Sequence, residues 1–227
     1  MIMDYIEPTE SLIDYAYQEI KDRIQNGIYP PGTKLVTQEI SDSLGVSRTP
    51  VVAAINRLVA QGLAKAIPRR GTIVAQLSIQ QIKDIIEVRK MIELYSIKSA
   101  IKNFDYYMDI VDRMQSIIVK ISEQDKLDYS IASKLEIEFH TCFVSLTGNE
   151  QLVKIYETNW SVGAMFYLYS ITKMPLSHHE KAFKHHQNIM KFLLAKDEEN
   201  LRSALMEHLT IVDDTCELYC RNAANNI

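Results

Sequence analysis

The sequence predicts a mostly α protein with an N-terminal winged helix-turn-helix and a C-terminal six-helix antiparallel bundle. Three observations predict it. Glycine and proline are scarce, at 7 and 6 of 227 residues, a composition that favours helices over turn-rich sheets. The stretch from Thr33 to Ala75 is punctuated as helix, sharp turn, helix and hairpin. Beyond Ser78, each long segment carries apolar residues at helical spacing.

Ser11 to Asn26 places Leu12, Ile13, Ala16, Tyr17, Ile20 and Ile24 on one face of an amphipathic helix. Gly27 ends it, and Tyr29-Pro30-Pro31-Gly32 forms a stiff turn. In the next segment Ile40 and Leu44 lie one helical turn apart. Gly45 permits the reversal that follows, because glycine takes positive φ without steric cost. Val46 packs into the corner, and Ser47 is placed to cap a second helix whose first turn accepts Pro50. That helix runs to about Gln61, with Val51, Ile55 and Leu58 on one face, and Gly62 ends it. Leu63 to Ala75 reads as two short strands joined by Pro68-Arg69-Arg70-Gly71. A helix presented this way beside a basic hairpin suits the major groove and adjoining backbone of double-stranded DNA.

Ser78-Ile79-Gln80-Gln81 has the form of a capping box. The boundary therefore falls near Gln76 to Ser78, giving a DNA-binding domain at 1–76 and a helical domain at 77–227. Helices are expected at 79–103, 105–124, 128–147, 150–172, 177–196 and 198–221. Their breaks fall at Asn103, Gln124-Asp125, Gly148-Asn149, Met174-Pro175 and Lys196-Asp197. Ile82, Ile85, Ile86, Met91, Ile92 and Tyr95 give the first of them a wide apolar face. Bundles of this kind commonly hold ligand and metal sites in their cores.

The net charge of −4 hides a partition. Residues 1–19 carry five acids and no Lys or Arg, residues 20–76 eight bases against three acids, and the remainder 17 bases against 21 acids. Positive charge is thus confined to the segment with the DNA-binding pattern, as phosphate contacts require. No run of about 18 apolar residues occurs, so no membrane span is expected. The start, from Met1 to Pro8, lacks the basic region of a signal peptide. Cys142, Cys216 and Cys220, an odd number, fit a reducing cytoplasm. Cys216 and Cys220 lie one helical turn apart, with no second pair to complete a zinc site; they read as ordinary thiols.

All six histidines fall in the C-terminal part. Glu136 and His140, at i and i+4, share one helix face, while Glu138 points elsewhere, beside solvent. His186 comes from the middle of the next-but-one helix and His208 from the middle of the last. Three neutral imidazoles and one carboxylate suit a divalent transition metal, Zn²⁺ first and Ni²⁺ or Mn²⁺ next, with open positions for water or an anion. From spacing alone the signal is weak, because a lone histidine in a helix is usually a packed or surface residue. His178, His179 and His185 read as surface or capping residues.

The stretch Asn26-Gly-Ile-Tyr-Pro-Pro-Gly-Thr-Lys-Leu35, with Leu44-Gly-Val-Ser-Arg-Thr-Pro-Val51, Arg57-Leu-x-x-x-Gly-Leu63 and Pro68-Arg-Arg-Gly71, closely resembles the GntR family of bacterial transcription regulators. Glu87-Val-Arg89 with Glu93, Glu136-x-x-Phe-His140, Gly148-Asn149, His185-His186 with Ile189, and His208 resemble the FCD effector domain of its FadR-type branch. The resemblance implies a homodimer that binds a palindromic operator, read here as a repressor, and responds to a small metabolite, often a carboxylic acid. It implies DNA contacts from Gln38, Ser47, Arg48, Thr49, Arg57, Arg69, Arg70 and Gly71, with Arg48 as the fork on guanine O6 and N7. It implies metal ligation by Glu136, His140, His186 and His208, and effector contact by Arg89, whose fork suits a carboxylate. Two departures stand out. Val52 replaces the arginine usual in Val/Leu-Arg-Glu-Ala-Leu, and Glu136 replaces the usual aspartate. Arg57 and Arg89 each have a structural alternative, a surface or inter-helix salt bridge for Arg57 and a salt bridge with Glu93 or another buried acid for Arg89.

Other functions remain as alternatives. A metal-sensing regulator, and a regulator with a metal-free apolar effector pocket, use the same two domains. A metal hydrolase would need a general base and a substrate-positioning loop that the sequence does not supply. The chain is therefore read as a non-enzyme.

Overall fold

The computed structural model describes residues 8–122, 129–171 and 176–224. Among them the chain forms nine helices and one two-stranded sheet, in two compact units, Met1–Gln76 and Leu77–Ile227. The expected breaks at Gln124-Asp125 and Met174-Pro175 lie outside the described residues.

In the first unit α1 (Pro8–Gln25) packs on α3 (Arg48–Ala60), with α2 (Thr37–Leu44) beside it. Ala16, Tyr17, Ile20 and Ile24 of α1 are buried, as are Pro50, Val51, Ala54, Ile55 and Leu58 of α3; Leu12, expected on the buried face, is 40% exposed. Three polar links tie α3 to α1. Arg57 Nη1 meets Asp14 Oδ1 at 2.6 Å, its guanidinium lies over the Tyr17 ring, and the Tyr17 hydroxyl donates to Gln61 Oε1 at 2.6 Å. Arg23 similarly joins α1 to Tyr29 and to Ser43 of α2.

Gly45 makes the turn between α2 and α3 at φ 66°, with its N–H donating to the Ser41 carbonyl. Ser47 stands at the N-cap of α3 with extended backbone but makes no side-chain cap bond, so the expected capping role is corrected. The hairpin pairs β1 (Ala64–Ile67) with β2 (Gly71–Val74) antiparallel, with Ala64 opposite Val74 and Ile67 opposite Gly71. The segment after the Tyr29-Pro-Pro-Gly turn adds to this sheet: Leu35 N–H donates to Thr72 O, Val74 N–H donates to Thr33 O, and Lys34 bridges Ile73.

The second unit comprises α4 (Ile79–Asn103), α5 (Met108–Ser122), α6 (Tyr129–Ser145), α7 (Glu150–Ile171), α8 (Leu176–Leu194) and α9 (Glu198–Ala224). Ser78 and Gln81 form the capping box in both directions. Helix α4 packs against α9, α7 and α6; α8 lies on α9, and α5 on α6 and α8. The start of α5 is later than position 105, because Tyr106 and Tyr107 N–H close a turn on the Asn103 carbonyl, while the Asn103 amide donates to Leu146 and Thr147 carbonyls. Met91 and Tyr95, expected on the apolar face of α4, are 66% and 69% exposed. The buried stripe instead runs through Ile82, Ile86, Arg89, Ile92, Glu93, Ser96 and Ile97, so polar residues occupy the place that the apolar pattern had assigned to Met91 and Tyr95.

Gly163 lies inside α7, and a Cβ there would sit 2.6 Å from Ile85 Cγ2 of α4 and 2.8 Å from the Trp160 ring. Overpacking costs roughly 1–3 kcal/mol against a helix-propensity gain of about 1 kcal/mol. Gly163→Ala is expected to lower the urea midpoint of the protein. An unchanged or raised midpoint would show that α4 and α7 have room to separate.

Candidate metal centre and nucleic-acid interface

Glu136, His140, His186 and His208 converge. Their ligand atoms lie within 4.8 Å of one another and all four side chains are buried. Helix α6 supplies Glu136 and His140 one turn apart, α8 supplies His186 and α9 supplies His208. His186 Nε2 is 2.8 Å from Glu136 Oε2, His208 Nε2 is 3.2 Å from Oε1, and His140 Nε2 is 3.4 Å from Oε1. His140 Nε2 and His186 Nε2 face each other at 3.1 Å. Phe139 presents an apolar wall to both His140 and His186, with ring centroids at 5.3 and 4.8 Å.

A second layer orients this set. His140 Nδ1 lies 2.8 Å from Glu93 Oε2. A carboxylate accepts, so Nδ1 carries the proton and Nε2 presents its lone pair inward, the tautomer a metal ligand needs. Glu93 Oε1 also accepts from Arg89 Nε at 2.6 Å and from the Tyr156 hydroxyl at 2.8 Å. Arg89 Nη2 reaches Glu136 Oε1 at 3.3 Å, and the guanidinium lies 3.9 Å from the Trp160 ring centroid. Among the described residues, Arg89 Nη1, His186 Nδ1 and His208 Nδ1 have no hydrogen-bond partner. Arg89 thus takes its structural alternative, pairing with Glu93 and Glu136, and keeps one nitrogen free.

Sequence reasoning offered Glu93 as an ion-pair partner of Arg89 but not as the group that orients His140, and it missed Tyr156. The i, i+4 spacing of Arg89 and Glu93 was the available signal; Tyr156 gave none. His185, expected at the surface, is buried, with His208 and Glu207 near it. The cause is position: His185 sits where α8 packs on α9. The His178, His179, Cys216 and Cys220 side chains lie outside the described residues. Glu138 pairs with Arg113 at 2.7 Å. Burial pushes the Cys142 thiol up to about 11, so it is a poor nucleophile.

Burial opposes ionisation of Glu93, but Arg89 and His140 outweigh it and hold the carboxyl well below its ordinary range. Burial likewise opposes ionisation of Glu136, and His186, His208 and His140 overcome it. Burial pulls Arg89 down, yet Glu93, Tyr156 and Glu136 keep it above its ordinary value. Burial lowers His140, and lowers His208 to about 3. Two ionised carboxylates, one guanidinium and neutral imidazoles at His140 and His208 are the protonation states that metal binding requires.

The DNA-facing candidates lie in the first unit. Ser47, Arg48 and Thr49 are exposed at the N-terminus of α3, and Arg69, Arg70 and Gly71 are exposed at the hairpin tip. Arg70 N–H donates to the Ile67 carbonyl, closing a turn in which Arg69 takes φ 62°. Gln38 is exposed and donates to Asp42 at 2.6 Å. Arg57 is engaged by Asp14 and Tyr17, the inter-helix ion pair.

A winged helix-turn-helix followed by a helical bundle is the architecture of a DNA-binding regulator. Residues 12–74 match the family described as bacterial regulatory proteins, gntR family, and residues 84–210 match the FCD domain. The chain belongs to the GntR family of transcription regulators and carries an FCD effector domain. It is 26% identical over 201 residues to the HTH-type transcriptional regulator McbR of Escherichia coli, covering 87% of this chain and 89% of that one. The solved McbR structure superposes with a TM-score of 0.79 at 21% identity, covering 92% and 98%. The HTH-type transcriptional repressor GlaR of the same organism is 24% identical over 205 residues, covering 86% and 90%. A solved structure described as a metal-free FCD domain superposes at TM-score 0.54 and 17% identity, over 66% of this chain and 99% of that one. These relatives are named as regulators, not enzymes. Among the described residues no helix is long and apolar enough to cross a membrane.

His208 is neutral in the folded chain down to about 3, whereas unfolded it takes a proton near 6.5. Between those values the unfolded state binds more protons, so stability is full above 6.5 and falls with pH toward 3. His140 acts in the same direction. In chelator-treated protein, unfolding free energy is expected to drop by up to about 1.4 kcal/mol per pH unit for each such histidine. His208→Asn should flatten that limb, as read by urea titrations at several pH values. An unchanged slope would show that His208 is protonated in the folded bundle.

Proposed function

We propose that the protein is a homodimeric repressor that holds a palindromic operator in the cytoplasm and releases it when a carboxylic acid binds beside a divalent metal in the bundle. The observation that supports the metal reading is the convergence of four buried ligand atoms, from Glu136, His140, His186 and His208, within 4.8 Å of one another. Arg89, Glu93 and Glu136 are buried together, one positive and two negative charges, and an uncompensated buried anion is costly. A divalent ion on Glu136, His140, His186 and His208 would add positive charge beside the two carboxylates. The donor set fits Zn²⁺, with Ni²⁺ or Mn²⁺ as the next candidates. The ion would supply a Lewis-acidic centre with open positions for an anion. Arg89 Nη1, buried and unpartnered, is the donor left for an acid's second oxygen. The repressor sign follows the name of GlaR.

At the other end, Ser47, Arg48 and Thr49 enter the major groove, with Arg48 on guanine, while Arg69, Arg70 and Gly71 approach the minor groove. Gln38 joins them by leaving Asp42, and Arg57 contributes by holding α3 on α1. An acid that draws Arg89 from Glu93 strains α4, which begins at Ile79, immediately after the first unit. Operator affinity then shifts only by the acid's differential affinity for the two states.

Protein purified without chelator is expected to contain about one transition metal ion per chain, and His186→Ala much less, by elemental analysis. If both stay metal-free after incubation with Zn²⁺ and Ni²⁺, the four-residue site fails, and the effector belongs among ligands that need no metal.

Arg69 holds φ 62°, a conformation that costs a side chain roughly 1 kcal/mol and glycine almost nothing. Arg69→Gly is expected to leave the melting temperature equal or higher while weakening DNA binding. The slope of log K against log salt should fall by about 0.9, the loss of one phosphate contact. An unchanged slope would remove Arg69 from the interface.

A further inference from the structure

The buried stripe of α3, Pro50, Val51, Ala54, Ile55 and Leu58, turns the opposite face of the helix outward. That outward face carries Arg48, Thr49, Val52 and Asn56, all exposed. At 100° per residue, Val52 falls between Arg48 and Asn56, one turn from each. Val52 is 45% exposed, an apolar side chain in the middle of a polar face. Single exposed apolar residues are ordinary on an arbitrary surface. Here the residue is β-branched, a poorer helix former than alanine, and sits on the face that must meet any ligand of the helix.

Charge narrows what that ligand contact can be. Helix α3 has two cations, and Arg57 is turned onto Asp14 and Tyr17 of α1. Arg48 is then the lone cation on the outward face, so this face is poor in phosphate-binding charge. Attraction to phosphate falls mainly to the exposed Arg69 and Arg70 of the hairpin. What remains along α3 is a set for reading bases: a guanidinium, a hydroxyl, an isopropyl group and an amide. Ala53 beside Val52 is small enough to leave the approach open. In the major groove the apolar counterpart that a base pair offers is the thymine 5-methyl group.

We infer that Val52 reads the 5-methyl group of a thymine in each operator half-site, next to the base pair met by Arg48. The inference rests on the DNA-binding reading above and adds the identity of one base and the atom by which it is recognised. Burying one methyl against Val52 strengthens binding about fourfold per half-site. It also makes that position tolerant of changes to hydrogen-bonding groups and sensitive to loss of one carbon.

The test uses the full chain and a duplex selected with it from a random library. Each thymine of the selected operator is replaced in turn by deoxyuridine, which lacks only the methyl group, and affinities are measured for wild type and Val52→Ala. At one thymine per half-site, wild type should lose about fourfold for each uracil. Val52→Ala should bind the thymine and uracil duplexes equally, and should melt with wild type because the side chain is outside the core. Persistence of the thymine preference in Val52→Ala, or its absence from wild type at every position, would overturn the assignment while leaving DNA binding intact. A wild-type chain that enriches no sequence would overturn the DNA-binding reading itself, and this assignment with it.

Discussion

The carboxylate of Glu136 is buried against Arg89 and three imidazoles, and the bundle is arranged around keeping it satisfied. Removing one partner of a buried ion pair costs about 3–5 kcal/mol, because the remaining charge has no solvent to fall back on. Five of the six helices contribute to the arrangement: α4 with Arg89 and Glu93, α6 with Glu136 and His140, α7 with Tyr156 and Trp160, α8 with His186 and α9 with His208. Helix α5 is the exception, giving Val111, Met114 and Ile117 to the apolar core that α6, α8 and α9 also line. Apolar packing fixes how far apart these helices lie. The charged cluster fixes their register, since a shift of one residue along any of them would aim a ligand atom elsewhere.

Cations in the first unit divide by task. Arg57 and Arg23 hold helices together through Asp14, Tyr17, Tyr29 and Ser43. Arg48, Arg69 and Arg70 are left exposed on the helix start and the hairpin tip. An exposed ion pair such as Arg57–Asp14 contributes little stability by itself. Its stacking on Tyr17 and the Tyr17–Gln61 bond make it one of three links that fix how α3 lies on α1. The angle at which α3 is presented is therefore set on the side away from its outward face.

Much of this was legible in the residues. Gly45, Gly62 and the Ser78–Gln81 box mark real element ends because their local chemistry acts within a few residues. Glu136 and His140 are equally local, one turn apart on one helix. His186 and His208 are not: no spacing rule joins α6 to α8 and α9, so their mid-helix positions marked them only weakly and family resemblance strengthened the choice. The apolar pattern misled on α4, where Met91 and Tyr95 are exposed while Arg89, Glu93 and Ser96 are buried. Burial there follows charge pairing that lies 47 residues away in sequence, and periodicity carries no such information. Ser47 has the residue type and backbone of an N-cap without the bond, because residue preference describes populations rather than one hydroxyl.

The charge of the cluster orders the events of the proposed response. An approaching acid meets repulsion from the Glu93 and Glu136 carboxylates in a low-dielectric interior. A divalent ion on the proposed site would offset that repulsion and attract a carboxylate. Arg89 cannot reverse that order alone, since Glu93 and Glu136 already occupy its Nε and Nη2. In the proposed response the acid meets Arg89 at Nη1, the nitrogen left unpartnered, and only its further pull on the guanidinium competes with Glu93. Glu93 is the point of contact between the two, because it orients His140 with one oxygen and holds Arg89 with the other.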